Sequence, residues 1–340
     1  MINPLLLEVL NVQSESRNCS KMIDFVLEKC FEFGCSLIDY DSAGNIYAIK
    51  GEADTYPCIV AHMDTVHKIV PDAEYKVISD DDYAFAYNPV KRKMTGVGGD
   101  DKVGIYIALQ MVRDLDHCKV AFFVDEEIGC VGSMQADMTF FADVRFALQC
   151  DRKGNSDFVY NIMGTGLYSE AFYKDIAPII SSYGYEESTG GLTDVYQLAE
   201  NGIGVAVANM SCGYYNPHTD EEMISLADVE NCRRMVYDIM TNCTDVYECK
   251  HEKSYYDTWW KDGGNGVAYN SKLDKGLHDG ADWYNDKDWS DWEYSGGKYT
   301  YKKESKWTTC WDCYGVFEKE DIDAHGLCPN CTEYHKEKIV

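Results

Sequence analysis

The sequence predicts an α/β three-layer sandwich around a mostly parallel central sheet, with a small cysteine-rich unit at its C-terminal end. Three observations carry this. Over residues 1 to about 250, strand-like runs alternate with helical patterns. The runs at 57–62, 119–124 and 145–150 are short, largely apolar and read as buried strands. Past residue 250 the texture changes, and all seven tryptophans lie beyond Tyr255.

In chain order, a helix is expected at 21–33, where Ile23, Val26, Leu27, Cys30 and Phe31 recur at helical spacing. Ser20 is its expected N-cap and Gly34 its C-terminal stop. Strands follow at 45–50 and 57–62, with a two-stranded excursion at 75–78 and 83–88. Residues 102–113 read as a helix, 119–124 and 145–150 as strands, and 168–183 as a helix. A short strand at 205–209 and a closing helix at 225–241 complete the first domain, 1–250. Residues 251–306 show no sustained period and read as a Trp/Gly/Asp-rich connector. Residues 307–340 hold the last four cysteines.

Composition narrows the function classes. A chain of 340 residues, 45% of them hydrophobic, can bury a full core and carry a second, smaller unit. Lys plus Arg number 31 against 58 Asp plus Glu, a net charge of −27 that repels phosphate backbones and disfavours nucleic acid. No apolar run approaches the roughly 20 residues of a membrane span. Residues 1–11 have neither a basic flank nor a small-residue cleavage site, so a cytoplasmic protein without membrane contact is expected. Of fifteen cysteines, eleven are scattered singly between Cys19 and Cys249, some in strand-like runs, such as Cys58 and Cys150. Buried reduced thiols fit that distribution better than bridges.

Five motifs stand at predicted strand ends or in the loops after them, where open α/β sheets place ligands. Ala61-His62-Met63-Asp64 closes a strand: a histidine can ligate zinc through one ring nitrogen while a carboxylate two residues on holds the other. Gly96-Val97-Gly98-Gly99-Asp100-Asp101-Lys102 precedes a helix, and its paired acids favour a cation over a phosphate. Val124-Asp125-Glu126-Glu127-Ile128-Gly129 places two glutamates after a buried strand, costly unless a cation stabilises them. Gln149-Cys150-Asp151 ends another strand, and Asn216-Pro217-His218-Thr219-Asp220-Glu221 precedes the closing helix.

The order His-x-Asp, Gly-Gly-Asp-Asp-Lys, Glu-Glu, Asp and Pro-His-Thr resembles the co-catalytic di-zinc peptidases of the M20, M28 and M42 groups, most closely the tripeptidase T branch of M20. The resemblance covers roughly residues 10–242. It implies a zinc exopeptidase-like fold and two catalytic zinc ions, with Co²⁺ or Mn²⁺ as alternatives. It implies His62 and Asp151 on one ion, Glu127 and His218 on the other, and Asp100 bridging them through a cis Asp100–Asp101 peptide. Asp64 would orient His62. Glu126 would be the general base acting on a hydroxide-forming water between the ions. Gly190-Gly191-Leu192-Thr193-Asp194 is similar to a segment that such enzymes carry near the site, which makes Gly191 and Asp194 candidate substrate-binding residues. Typical M20 enzymes insert a lid domain here, whereas Asp151 to His218 spans only 67 residues, so a lidless unit is expected.

Cys310-Trp311-Asp312-Cys313 and Cys328-Pro329-Asn330-Cys331 are two Cys-x2-Cys knuckles separated by fourteen residues. Four such thiolates can enclose one structural zinc, and the segment resembles a zinc ribbon. A protein partner contacted through this ribbon and the tryptophan-rich connector is the expected use. The function read from the sequence is therefore hydrolysis of peptides by a zinc exopeptidase. Deacylation of N-acyl amino acids at the same site, or a non-catalytic adaptor working through the ribbon, are the competing readings.

Overall fold

Local chemistry starts the first helix. Asn3 caps α1 (Pro4–Asn11), its side-chain oxygen accepting from Leu5 N at 2.9 Å, with Pro4 in the first turn. The computed structural model describes residues 2–250 and, beyond them, 292–295, 298–301, 307–309, 316–318 and Pro329. Helix α2 (Ser20–Glu32) begins one residue before its expected start: Cys19 occupies the cap without a side-chain bond, and Ser20 is the first helical residue rather than the N-cap. Gly34 ends it as expected, at φ +82°.

Three strands follow, β1 (Cys35–Tyr40), β2 (Ile46–Lys50) and β3 (Tyr56–His62). The excursion contains β4 (Lys76–Ser79), β5 (Tyr83–Asn88) and β6 (Lys93–Thr95). Helix α3 (Gly99–Asp114) leads into β7 (Cys118–Phe123), the short α4 (Val131–Met134) and β8 (Val144–Arg152). Then come β9 (Asp157–Ile162), β10 (Thr165–Gly166), α5 (Glu170–Ser182), β11 (Glu186–Gly190), α6 (Asp194–Glu200) and β12 (Val207–Ser211). The pair β13 (Tyr214–Tyr215) and β14 (Met223–Ser225) precedes α7 (Leu226–Asn242).

The main sheet has nine strands in the order β1-β2-β7-β3-β8-β12-β9-β10, with β11 on β9. It is mixed rather than mostly parallel. Neighbours β7, β3, β8 and β12 run parallel, as do β9 and β11, whereas β1/β2, β2/β7, β12/β9 and β9/β10 are antiparallel. The short links after β1 and β9 leave room only for antiparallel returns. Strands β3 and β7 are buried at every position, so both faces are covered. Helix α3 is likewise buried all round from Asp101 to Val112 and packs on β3, β7 and β8, while α6 and α4 pack together and α6 also reaches β3 and β8. Cys58 and Cys150 sit in this core with no exposure, and the ten cysteines from Cys19 to Cys243 are free thiols.

The excursion is larger than its local pattern shows. It is a five-stranded sheet, β13-β14-β5-β4 with β6 on β5, because β14 crosses from the far end of the chain to pair with β5. Residues 151–218, where a lid would be inserted, instead supply β9 to β13, α5 and α6, most of them in or against the main sheet. Among the described residues no helix is long and apolar enough to cross a membrane.

The chain forms two compact units, 1–263 and 264–340. Among its described residues the second unit shows two hairpins, β15 (Trp292–Ser295) with β16 (Lys298–Tyr301) and β17 (Trp307–Thr309) with β18 (Val316–Glu318). The first hairpin lies in the stretch read as an irregular connector, so that part carries regular structure. Cys310, Cys313, Cys328 and Cys331 lie outside the described residues.

Candidate metal centre

Sheet register brings the first two candidates together. Val60 on β3 pairs with Gln149 on β8, and two residues further along each parallel strand stand His62 and Asp151. His62 Nε2 is 3.6 Å from Asp151 Oδ1. On the other side, His62 pairs with Phe123 at the end of β7, and the chain turns through Asp125, at φ +57°, to present Glu126 and Glu127. The opening of α3 supplies Asp100, and the Asp100–Asp101 peptide is cis, as expected. The loop between β13 and β14 supplies His218, at φ +64°.

Asp100 lies between the two histidines. Its Oδ1 is 3.2 Å from His62 Nε2 and its Oδ2 is 3.3 Å from His218 Nε2. His218 Nε2 is also 3.0 Å from Glu127 Oε2. His62, Asp100 and Glu127 each place one ligand atom within 4.8 Å of the others, and so do His62, Asp101 and Asp151. Asp101 is otherwise engaged: its oxygens accept from His62 N at 3.1 Å and Gly104 N at 3.0 Å.

Glu126 is the neighbour without a histidine bond. Its Oε2 is 4.0 Å from His62 Nε2, and Cys130 Sγ is 3.5 Å from its Oε1. Asp64 holds the glutamate pair as much as it holds His62. The His62 ring Nδ1 lies 3.0 Å from the Asp64 main-chain oxygen and 3.5 Å from its carboxylate. That carboxylate accepts from Glu126 N at 2.9 Å, Glu127 N at 3.4 Å and the Ser16 hydroxyl at 2.7 Å.

Sequence reasoning missed the supports of Asp151. Thr193 Oγ1 donates to Asp151 Oδ2 at 2.8 Å, Gln149 Nε2 donates to the same oxygen at 3.3 Å, and Tyr214 OH donates to Oδ1 at 3.3 Å. Asn209 brackets the Asp151 backbone, accepting from its N–H at 3.0 Å and donating to its carbonyl at 2.8 Å. Gln149 and Thr193 stood inside two of the quoted motifs; Tyr214 and Asn209 had no local signal. Of the substrate candidates, Gly191 is exposed. Asp194 is fully buried, with Oδ2 accepting from Gln149 Nε2 at 3.1 Å and Oδ1 without a partner.

The charge balance calls for a cation. Burial pushes Asp151 up to about 7, with Asp100 adding to it. Burial also holds Glu126 well above the carboxylate range, against His62 and with Asp151, Asp194 and Glu127 contributing. Burial alone would lower His62, but the carboxylates of Asp151, Asp100 and Asp64 reverse it and hold the imidazole well above its usual range. Glu127 Oε1 is buried with no hydrogen-bond partner. Two imidazoles and a set of largely buried carboxylates, one with an orphaned oxygen, are a donor set that fits a divalent cation.

Residues 83–235 match the family model of the M42 glutamyl aminopeptidases. That span carries Asp100, Glu126, Glu127, Asp151, Asp194 and His218 but not His62. M42 is one of the three groups suggested by motif order, and the match, over less than half of the chain, does not support the M20 and M28 labels. Among solved structures, the chain is similar to the aminopeptidase PepT of Bacillus cereus, at 15% identity and TM-score 0.57, over 69% of this chain and 96% of that one. It is also similar to a tripeptidase of Staphylococcus aureus, at 15% identity and TM-score 0.54, over 69% and 95%. An aminopeptidase of the archaeon Desulfurococcus kamchatkensis gives 14% identity and TM-score 0.54, over 71% and 95%. At these identities the likeness is one of fold. No curated protein matches the sequence.

Proposed function

We propose that this chain is a metal-dependent exopeptidase, of aminopeptidase or tripeptidase type, with His62 and Asp151 holding one zinc ion, Glu127 and His218 a second, and Asp100 shared between them. The observation that carries the reading is the position of Asp100, one oxygen facing each histidine at 3.2 and 3.3 Å. A carboxylate shared by two cations needs that placement. The M42 match across residues 83–235 supports the same reading.

Zinc held there would polarise the scissile carbonyl and acidify the attacking water. The remaining work belongs to side chains. Glu126 takes the proton of the attacking water and passes it to the leaving amine; its burial keeps the protonated form within reach. Asp64 fixes the backbone from which Glu126 and Glu127 project. Thr193, Gln149 and Tyr214 aim Asp151. Gly191, exposed beside the site-supporting Thr193, offers main-chain groups to a peptide, while buried Asp194 acts through Gln149.

Dialysis against a chelator should abolish cleavage of unblocked di- and tripeptides, and added Zn²⁺, Co²⁺ or Mn²⁺ should restore it. Turnover of N-acetyl amino acids without turnover of unblocked peptides would replace the peptidase reading by the deacylase one. We also assign 1–250 as the catalytic domain, 251–306 as a connector and 307–340 as a four-cysteine zinc ribbon that, with the connector, contacts a protein partner. Metal analysis should then find three zinc ions per intact chain and two after truncation near residue 250. An unchanged count on truncation would remove the ribbon.

A further inference from the structure

Glu222 lies four residues beyond His218 and is fully buried, yet it touches neither His62 nor His218 among its hydrogen-bond partners. Its Oε2 accepts from Gly98 N at 2.7 Å and from His67 Nε2 at 2.9 Å, and its Oε1 accepts from Asp100 N at 3.1 Å. Lys102, only 3% exposed, approaches the same loop with the opposite polarity. Its ammonium donates to the Val97 carbonyl at 2.9 Å and reaches the Leu10 carbonyl and the Tyr75 hydroxyl at 3.4 Å each. The loop that delivers Asp100 therefore has N–H groups bound by a buried carboxyl group and a carbonyl bound by a buried amine.

The glycines of this loop allow the same close approach of neighbouring segments. Gly98 stands at φ +70°, which favours glycine. A Cβ on Gly96 would fall 1.9 Å from the His67 ring, and one on Gly99 would fall 2.8 Å from Tyr214 Cβ. His67, the partner of Glu222, closes in on Gly96, while Gly99 is met first by Tyr214 and then by Ile224 and Glu222. A local turn would need none of these distant contacts.

We propose that Glu222 and Lys102 are positioning residues: a two-sided clamp that sets the Asp100 backbone before any cation arrives and couples the His218 loop to it. This rests on the reading of Asp100 as a shared ligand, but not on which bond is hydrolysed. Glu222 does not touch Lys102, but its charge favours the ammonium form of Lys102 against burial, which couples the two residues. Supports behind metal ligands typically govern affinity by about 10- to 100-fold.

The test is metal binding by the full-length protein, with Glu222→Gln preserving shape and Glu222→Asp preserving charge. Metal-free protein is titrated with Zn²⁺ against a chromophoric chelator, and Co²⁺ is added separately to read ligand geometry from its visible absorption. Expected is cooperative unfolding of both metal-free variants, Zn²⁺ affinity about 10- to 100-fold weaker in Glu222→Gln, and an altered Co²⁺ spectrum. Adding Lys102→Met to Glu222→Gln should cost less than the product of the two single losses. Wild-type affinity and an unchanged spectrum in Glu222→Gln would overturn the proposal. So would loss of cooperative unfolding in both metal-free variants, since the carboxylate would then hold the fold and not the site. Peptide turnover plays no part in this readout. If two ions bind, weaken in Glu222→Gln, and no peptide is cut by the wild type, the hydrolase reading fails while the clamp stands.

Discussion

Glu126→Gln should lower kcat on an unblocked peptide by about 10²- to 10⁴-fold, the usual range for a lost general base, while leaving two metal ions per catalytic domain. The substitution keeps the shape of the side chain and its contact with Cys130, 3.5 Å from Oε1. It also leaves the Asp64 bond to the Glu126 main chain untouched. What it removes is the ability to take a proton beside His62. KM should change little, because the group does its work as charge develops and not on substrate binding. Retention of full turnover with both ions bound would sink the role given to Glu126. Loss of an ion would instead make Glu126 a ligand, and metal analysis on the same sample separates the two.

Asp100→Ala should be the most damaging single change for the cations themselves. The other candidate ligands divide between the two positions, but Asp100 faces His62 with one oxygen and His218 with the other. Burial works against its ionisation, and the bonds from His218 and His62 outweigh this, so it is a carboxylate throughout the neutral range. Removing it leaves two histidines facing each other across a site short of one shared anion. Outer supports cost about 10- to 100-fold in metal affinity, so a shared ligand should cost more than about 100-fold at both positions. Metal analysis after gel filtration should give fewer than one ion per catalytic domain, and peptide cleavage should disappear. The metal-bound wild type should also melt at a higher temperature than its metal-free form, with that gap collapsing in Asp100→Ala. Two ions retained at wild-type affinity would mean that Asp100 is not shared.

Much of the fold was legible because buried parallel strands announce themselves. The runs around His62, Phe123 and Asp151 are apolar over most of their length, and β3, β7 and β8 form within one or two residues of the expected bounds. Strand β1 was missed because it is an edge: Ser36, Leu37, Asp39 and Tyr40 are exposed, so no clean alternation marks it. The antiparallel margins that make the sheet mixed were also hidden, since pairing direction depends on where a chain returns and not on what it contains. The excursion looked two-stranded because β14, its partner from beyond residue 220, leaves no trace in the local pattern of residues 75–88.

The chain alone determined the chemistry available: two histidines, paired acids after glycines, paired glutamates after an apolar run, and their order. Tertiary structure alone decided which oxygen meets which nitrogen. Parallel register set His62 beside Asp151, and the β13–β14 loop carried His218 to the far side of Asp100. It also revealed Glu222 and Lys102 on opposite polarities of one loop. The physical reason is that residue type and local period are encoded over a few positions. The distances that govern ligation and hydrogen bonding arise between segments up to 155 residues apart, as with His67 and Glu222, and exist only once the sheet has closed.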